Sequence, residues 1–224
     1  MASIFVVTMA AGFAPSFYLR AYSVDPSGAA QRSLPTYIVA HGIVLTLWFL
    51  IFLVQTILIA LRRVSRHRLL GPVGTGAASG VVVASMLVVV RLAARAAAQG
   101  ITSGPVALIV TGDAGLMLIF APFVVTAIYL RRRTDVHRRL MLLASIAILG
   151  TAIVRLPGAE ALVPISVIVP QLALFAGLIA YDIVSRRRVH PATVWGVALY
   201  LVVGGTATLV GFSEFGQAFV KALA

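Results

Sequence analysis

The sequence predicts an all-α fold, a polytopic transmembrane helical bundle of about seven spans, on three observations. The first is composition. Of 224 residues 61% are hydrophobic and 11% charged, with a mean hydropathy of +1.05, too little polar surface to clothe a soluble globule of this size. The second is run length, since the apolar residues gather into stretches that can cross a hydrocarbon core of ~30 Å, which takes roughly 17–25 residues at ~1.5 Å each. The third is an internal repeat. Arg63-Val64-Ser65-Arg66-His67, Arg133-Thr134-Asp135-Val136-His137 and Arg186-Arg187-Arg188-Val189-His190 each stand where one apolar run gives way to the next. At the 70-residue offset of the first two copies, Gly42 meets Gly112 and Thr56 meets Thr126, so the likeness extends up the preceding helix.

Taken in order, the first span, 3–19, is short and contains Pro15; it has no basic leader or Ala-x-Ala site and is read as a span rather than a signal peptide. Residues 20–36 carry the turn signals Asp25-Pro26-Ser27-Gly28 and Leu34-Pro35. The second span is 37–61. The third, 70–90, opens on Gly74-Thr75-Gly76-Ala77-Ala78-Ser79-Gly80 and is followed by the alanine-rich stretch from Ala93 to Ala98. The fourth is 105–130, the fifth, 140–156, is confined between Arg139 and Arg155, the sixth is 161–183, and the seventh, 192–212, holds Gly204-Gly205-Thr206-Ala207. Small residues of this kind let helix backbones approach closely within a bundle or against a partner. Ser213 to Ala224 reads as a short interfacial helix with Phe215, Phe219 and Val220 toward lipid. The whole forms one transmembrane domain, 1–224, built as one helix and three parallel helix hairpins.

Charge sets the expected orientation. The connections after the second, fourth and sixth spans hold twelve of the eighteen basic residues: Arg62, Arg63, Arg66 and Arg68; Arg131, Arg132, Arg133, Arg138 and Arg139; Arg186, Arg187 and Arg188. The positive-inside rule places these loops, and with them the amino terminus, in the cytoplasm. The net charge of +12 is therefore topological, and no nucleic acid is expected, because no soluble basic domain or aromatic-basic platform exists to hold one. The expected partners are lipids with anionic headgroups, attracted at about 1 kcal/mol per arginine, and other membrane subunits. No cysteine is present, which excludes disulfides and thiolate chemistry.

Ionisable groups inside the bilayer cost on the order of 2.5–3.5 kcal/mol on insertion scales, so those within spans are the candidates for function. His41 in the second span and Asp113 in the fourth lie at depths that differ by about 3 Å if the two helices run parallel. With Glu160 at the mouth of the sixth span, and Thr102, Thr111 and Gln171 near, they make a candidate outward-facing polar and cofactor-binding pocket. The functional readings are a metal, haem or proton site; the bland reading is a His–Asp hydrogen bond joining two repeat helices. No full transition-metal shell is evident, so no metal ligand is assigned. The device residues Arg63, His67, Arg133, His137, Arg186 and His190 are read as loop turns with arginines snorkelling to lipid headgroups, since a field of arginines repels a cation. A rhodopsin-type Schiff base is excluded, because the one lysine, Lys221, follows the last span.

The strings Phe13-Ala14-Pro15-Ser16-Phe17-Tyr18-Leu19-Arg20, Ala40-His41-Gly42 with Trp48 and Gln55, His67-Arg68-Leu69-Leu70-Gly71, His137-Arg138-Arg139-Leu140-Met141 and Val189-His190-Pro191-Ala192-Thr193-Val194-Trp195-Gly196 resemble a family of bacterial multi-span inner-membrane proteins of uncharacterised function. The resemblance covers essentially the whole chain and implies a helical protein of the bacterial inner membrane, with no reaction attached. The function expected is that of a non-catalytic accessory, scaffold or assembly subunit of a larger electron-transfer or photosynthetic membrane complex, contacting partner helices, lipid, quinone or pigment. The sequence itself requires no cofactor. A haem- or metal-binding oxidoreductase built on His41 and Asp113, and a small proton-coupled transporter, are the alternatives.

Overall fold

A computed structural model describes residues 1–22, 33–159 and 165–224. Among these the chain is all-helical: α1 (Ala2–Phe13), α2 (Thr36–Ala60), α3 (Val64–Ala98), α4 (Pro105–Tyr129), α5 (Thr134–Ile153), α6 (Ile165–Arg186), α7 (Pro191–Phe212) and α8 (Glu214–Ala222). The helices α2 to α7 are long and apolar enough to cross a membrane, and a shorter apolar helix covers Ala2–Tyr18. Pro15 is the reason for the last turn of that helix. It lacks the N–H that an α-helical bond needs, and Ala14–Tyr18 winds as a π-turn in which Leu19 N–H reaches back to Ala14 O at 2.7 Å.

The boundaries differ from the sequence reading chiefly where arginine was taken as punctuation. α3 runs 35 residues rather than 70–90. Arg66, Arg68, Arg91 and Arg95 extend both ends of it, because arginine is a good helix former and its long stem carries the charge outward. Likewise α5 begins at Thr134 and so takes Arg138 and Arg139 into its first turns. The turns that follow α2 and α6 place Arg62 and Arg187 at φ of +58° and +57°. At the first of these Arg62 N–H bonds Ile59 O and Arg63 N–H bonds Leu58 O, the paired bonds that satisfy the last carbonyls of a helix.

Chain contacts gather into two compact units, Met1–Val81 with Ile148–Ala176, and Val82–Ala147 with Gly177–Ala224. In the first unit α1 packs on α2 through aromatic rings. Phe5 stacks on Phe52 with centroids 5.9 Å apart and meets Phe49 edge-on at 6.4 Å, while Phe5, Trp48 and Phe49 are buried. Tyr18 OH lies 2.5 Å from Thr46 Oγ1 and 2.7 Å from Met9 Sδ, joining α1 to α2. In the same unit Arg155 spreads over the Phe13 ring at 5.2 Å.

In the second unit α4 lies against α7 and α8. Small residues permit it: a methyl added at Gly211 would stand 2.9 Å from Leu108 Cα, and one at Gly115 would stand 2.7 Å from Ala207 Cβ. The core between α3, α4 and α8 consists of Val89, Ala93, Ala107, Val110 and Val220, with Phe219 packed against it. Of the three terminal residues assigned to lipid only Phe215 is exposed; Val220 is buried. The cause is the kink at Ser213, whose side chain accepts from Gly216 N–H to start α8 and returns that helix toward α4.

Candidate functional site

The densest polar constellation lies in the second unit, at the arginine-rich end where the α4–α5 and α6–α7 turns meet. Its centre is Asp182, in the last turn of α6. One oxygen accepts from Arg139 through Nε at 2.9 Å and through Nη2; the other accepts Thr193 Oγ1 at 2.6 Å and His190 N–H at 3.1 Å. Four donors saturate a carboxylate. Arg139 passes its remaining terminal nitrogen to Asp135 O at 2.7 Å, and the Arg139 and Asp182 side chains are 1% and 0% exposed. Two isolated charges at such depth would each cost several kcal/mol, so each holds the other in place.

A second layer faces outward. Asp135, in the first turn of α5, receives His190 Nε2 at 3.0 Å and Arg186 at 3.5 Å. His190 itself caps α7, its Nδ1 accepting Ala192 N–H at 3.0 Å. With Nδ1 an acceptor, the ring hydrogen is on Nε2 and is donated to Asp135. The next residue, Pro191, explains why the histidine stands outside the helix: a residue before proline is pushed to extended backbone, here φ −74° and ψ 137°.

The three copies of the Arg-x-x-x-His repeat thus do different work. In the first two the arginine precedes the helix and the histidine lies one turn inside it, with His67 N–H bonding Arg63 O and His137 N–H bonding Arg133 O. His137 turns back so that its Nδ1–H donates to Ala127 O at 2.8 Å, one of the carbonyls that the end of α4 leaves open. In the third copy the histidine is a cap acceptor. The same string yields a donor at one turn and an acceptor at another, and Pro191 makes the difference.

The polar groups proposed for the outer pocket come from both units. His41, half-buried on α2, belongs to the first unit, and Asp113, half-buried on α4, to the second. Thr111 is buried and donates to Ala107 O at 2.8 Å, while Gln171 is buried in the first unit beside Gly150. Thr102 stands in the α3–α4 connection, and Glu160 lies outside the described residues. Among the described residues no three His, Asp or Glu side chains gather as a metal would require.

Sequence reasoning counted Arg139 among the charges of the connection after the fourth span, left Asp182 within the sixth span (161–183) without a role, and did not find their pairing. A signal existed: Asp182 ends one apolar run and Arg139 begins another, opposite charges placed at the arginine-rich ends of their helices. Around the same end Tyr129, Tyr181 and Trp195 are exposed, and Arg138 sits over the Tyr181 ring at 5.7 Å, the mixture of arginine and amphipathic ring found where helices leave a bilayer.

Helices of this length and apolarity, with polar groups paired internally, define a multi-pass helical membrane protein. No protein-family model matches the chain, and neither does any curated protein or solved structure compared with it.

Proposed function

We propose that the protein is a non-catalytic integral membrane subunit, a scaffold that docks partner helices in a larger membrane complex. The observation that carries this reading is the outer side of α7. Its apolar window is 11% buried, the least, with α2 and α6 next at 22%; Trp195, Val202, Leu209 and Phe212 are exposed, and a methyl at Gly204 or Gly205 would meet nothing within 4 Å. An apolar helix whose glycines stand open offers its backbone to another helix. Catalysis, by contrast, needs a group with an unused lone pair or proton in reach of substrate, and the deepest carboxylate, Asp182, has all four positions taken.

We assign the arginine-rich turns to the cytoplasm on the arginine distribution, and the membrane to a bacterial inner one on the resemblance carried by the His-Arg and His-Pro-Ala-Thr strings. Gently solubilised protein supplies the test. A colourless, metal-free chain that migrates on a native gel within a larger assembly agrees with the subunit reading, and a coloured assembly would make that partner an electron-transfer or photosynthetic complex. A haem absorption band or stoichiometric metal in the isolated chain would sink the proposal in favour of a site on His41 and Asp113.

A further inference from the structure

The clasp formed by Arg139, Asp182, Asp135 and His190 leaves an excess of charge. At the arginine-rich end of the second unit Asp182 is occupied by Arg139, and Asp135 by His190 and Arg186. Arg131, Arg132, Arg133, Arg187 and Arg188 are exposed and form no ion pair among the described residues, while Arg138 rests on the Tyr181 ring. With Asp135 and Asp182, the carboxylates described at this end, both committed, these cations raise one positive field that an outside anion can offset.

The shape narrows the anion. Tyr129, Leu130, Arg131, Arg132 and Arg133 line a recess of about 410 Å³. From its helical side an apolar track runs along one face of α4: Leu118 and Val125 are 68% and 65% exposed, and Tyr129 is 82% exposed, at the i, i+7, i+11 spacing that shares a face. Cations over a continuous apolar strip fit an amphiphile with a charged head and long chains. We propose that the α4–α5 turn and the outer face of α4 bind an anionic phospholipid, with preference for a headgroup of two phosphates, since the three exposed arginines of that turn exceed what one phosphate neutralises. This goes beyond the subunit reading and rests only on α4 crossing a membrane.

Native mass spectrometry of the full chain, titrated with cardiolipin (two phosphates), phosphatidylglycerol (one) and phosphatidylcholine (none), with inorganic phosphate as the chain-free arm, tests it. The expected order of affinity is cardiolipin, then phosphatidylglycerol, with phosphatidylcholine and phosphate at background. R131Q/R132Q/R133Q should weaken cardiolipin binding by about a hundredfold, about fivefold for each arginine. R63Q/R66Q/R68Q removes equal charge from the start of α3 and should change it less than about twofold, a contrast set by local rather than net charge. Equal loss in the two triple variants, equal affinity for the one- and two-phosphate lipids, or phosphate competing as well as lipid would each overturn the proposal. Should R131Q/R132Q/R133Q not fold, R132Q alone decides, by a loss of about fivefold or none. Extraction of the wild-type chain from membranes by alkaline carbonate would instead refute membrane insertion, so the two failures are told apart.

Discussion

At the residue scale the Arg139–Asp182 pair makes the sharpest demand. Replacing one partner leaves the other charge buried and alone, so Asp182→Asn and Arg139→Met should each cost about 3–5 kcal/mol of stability in detergent. The double replacement should cost well below the sum, because the coupling is lost only once. Denaturant midpoints of the four proteins measure this, and strict additivity would mean that the pair does not interact. His190 separates two duties. His190→Asn keeps a cap acceptor but loses the reach to Asp135, whereas His190→Ala loses both; the alanine variant should be the less stable by about 0.5–2 kcal/mol. Equal stabilities would show that Nδ1 does not cap α7.

At the element scale close packing and open face make opposite predictions for the same kind of change. Gly211→Ala would drive a methyl to 2.9 Å from the Leu108 backbone and should destabilise the α4–α7 contact by about 1–3 kcal/mol. Gly205→Ala meets nothing within 4 Å and should be neutral or stabilising by up to about 1 kcal/mol, alanine being the better helix former. Thermal unfolding of the two variants decides, and a destabilised Gly205→Ala would indicate that α7 packs inward there. A bulkier Gly205→Leu should leave the monomer stable and yet shift the native-gel assembly toward free chain, since the partner helix loses its close approach. Unchanged migration would remove the support α7 lends to the subunit reading.

At the scale of the whole molecule the arginine asymmetry predicts sidedness. Reporter fusions in the α2–α3, α4–α5 and α6–α7 turns, after Arg62, Arg132 and Arg188, should report cytoplasm, and fusions after Ala98 and Ala224 the opposite side. Cytoplasmic signal at Ala224 with the amino terminus also inside would mean an even number of crossings. The helix over Ala2–Tyr18, 17 residues or about 25 Å at 1.5 Å each, would then be lying short of the full bilayer.

What the sequence determined by itself was the class: helical across the described residues, strongly apolar, and punctuated by turns near the arginine clusters, though the ends of α3 and the start of α5 lie six to eight residues from the expected ones. Hydropathy and the requirement that every backbone group in a membrane be satisfied internally are local properties, readable one window at a time. The repeat was legible too, but not the use of its third copy, because the conformation of His190 depends on Pro191 and its partner on Asp135, 55 positions away. Only the tertiary structure decided which charges are buried and which are free. Arg138 and Arg139 are neighbours of identical chemistry; the 100° turn between them sends one onto an exposed ring and the other into the carboxylate of Asp182. The division of arginines between clasp and recess follows from helix rotation about an axis, a quantity set by packing of Gly196 on Leu143 and Gly211 on Leu108, contacts between residues that no local pattern brings together.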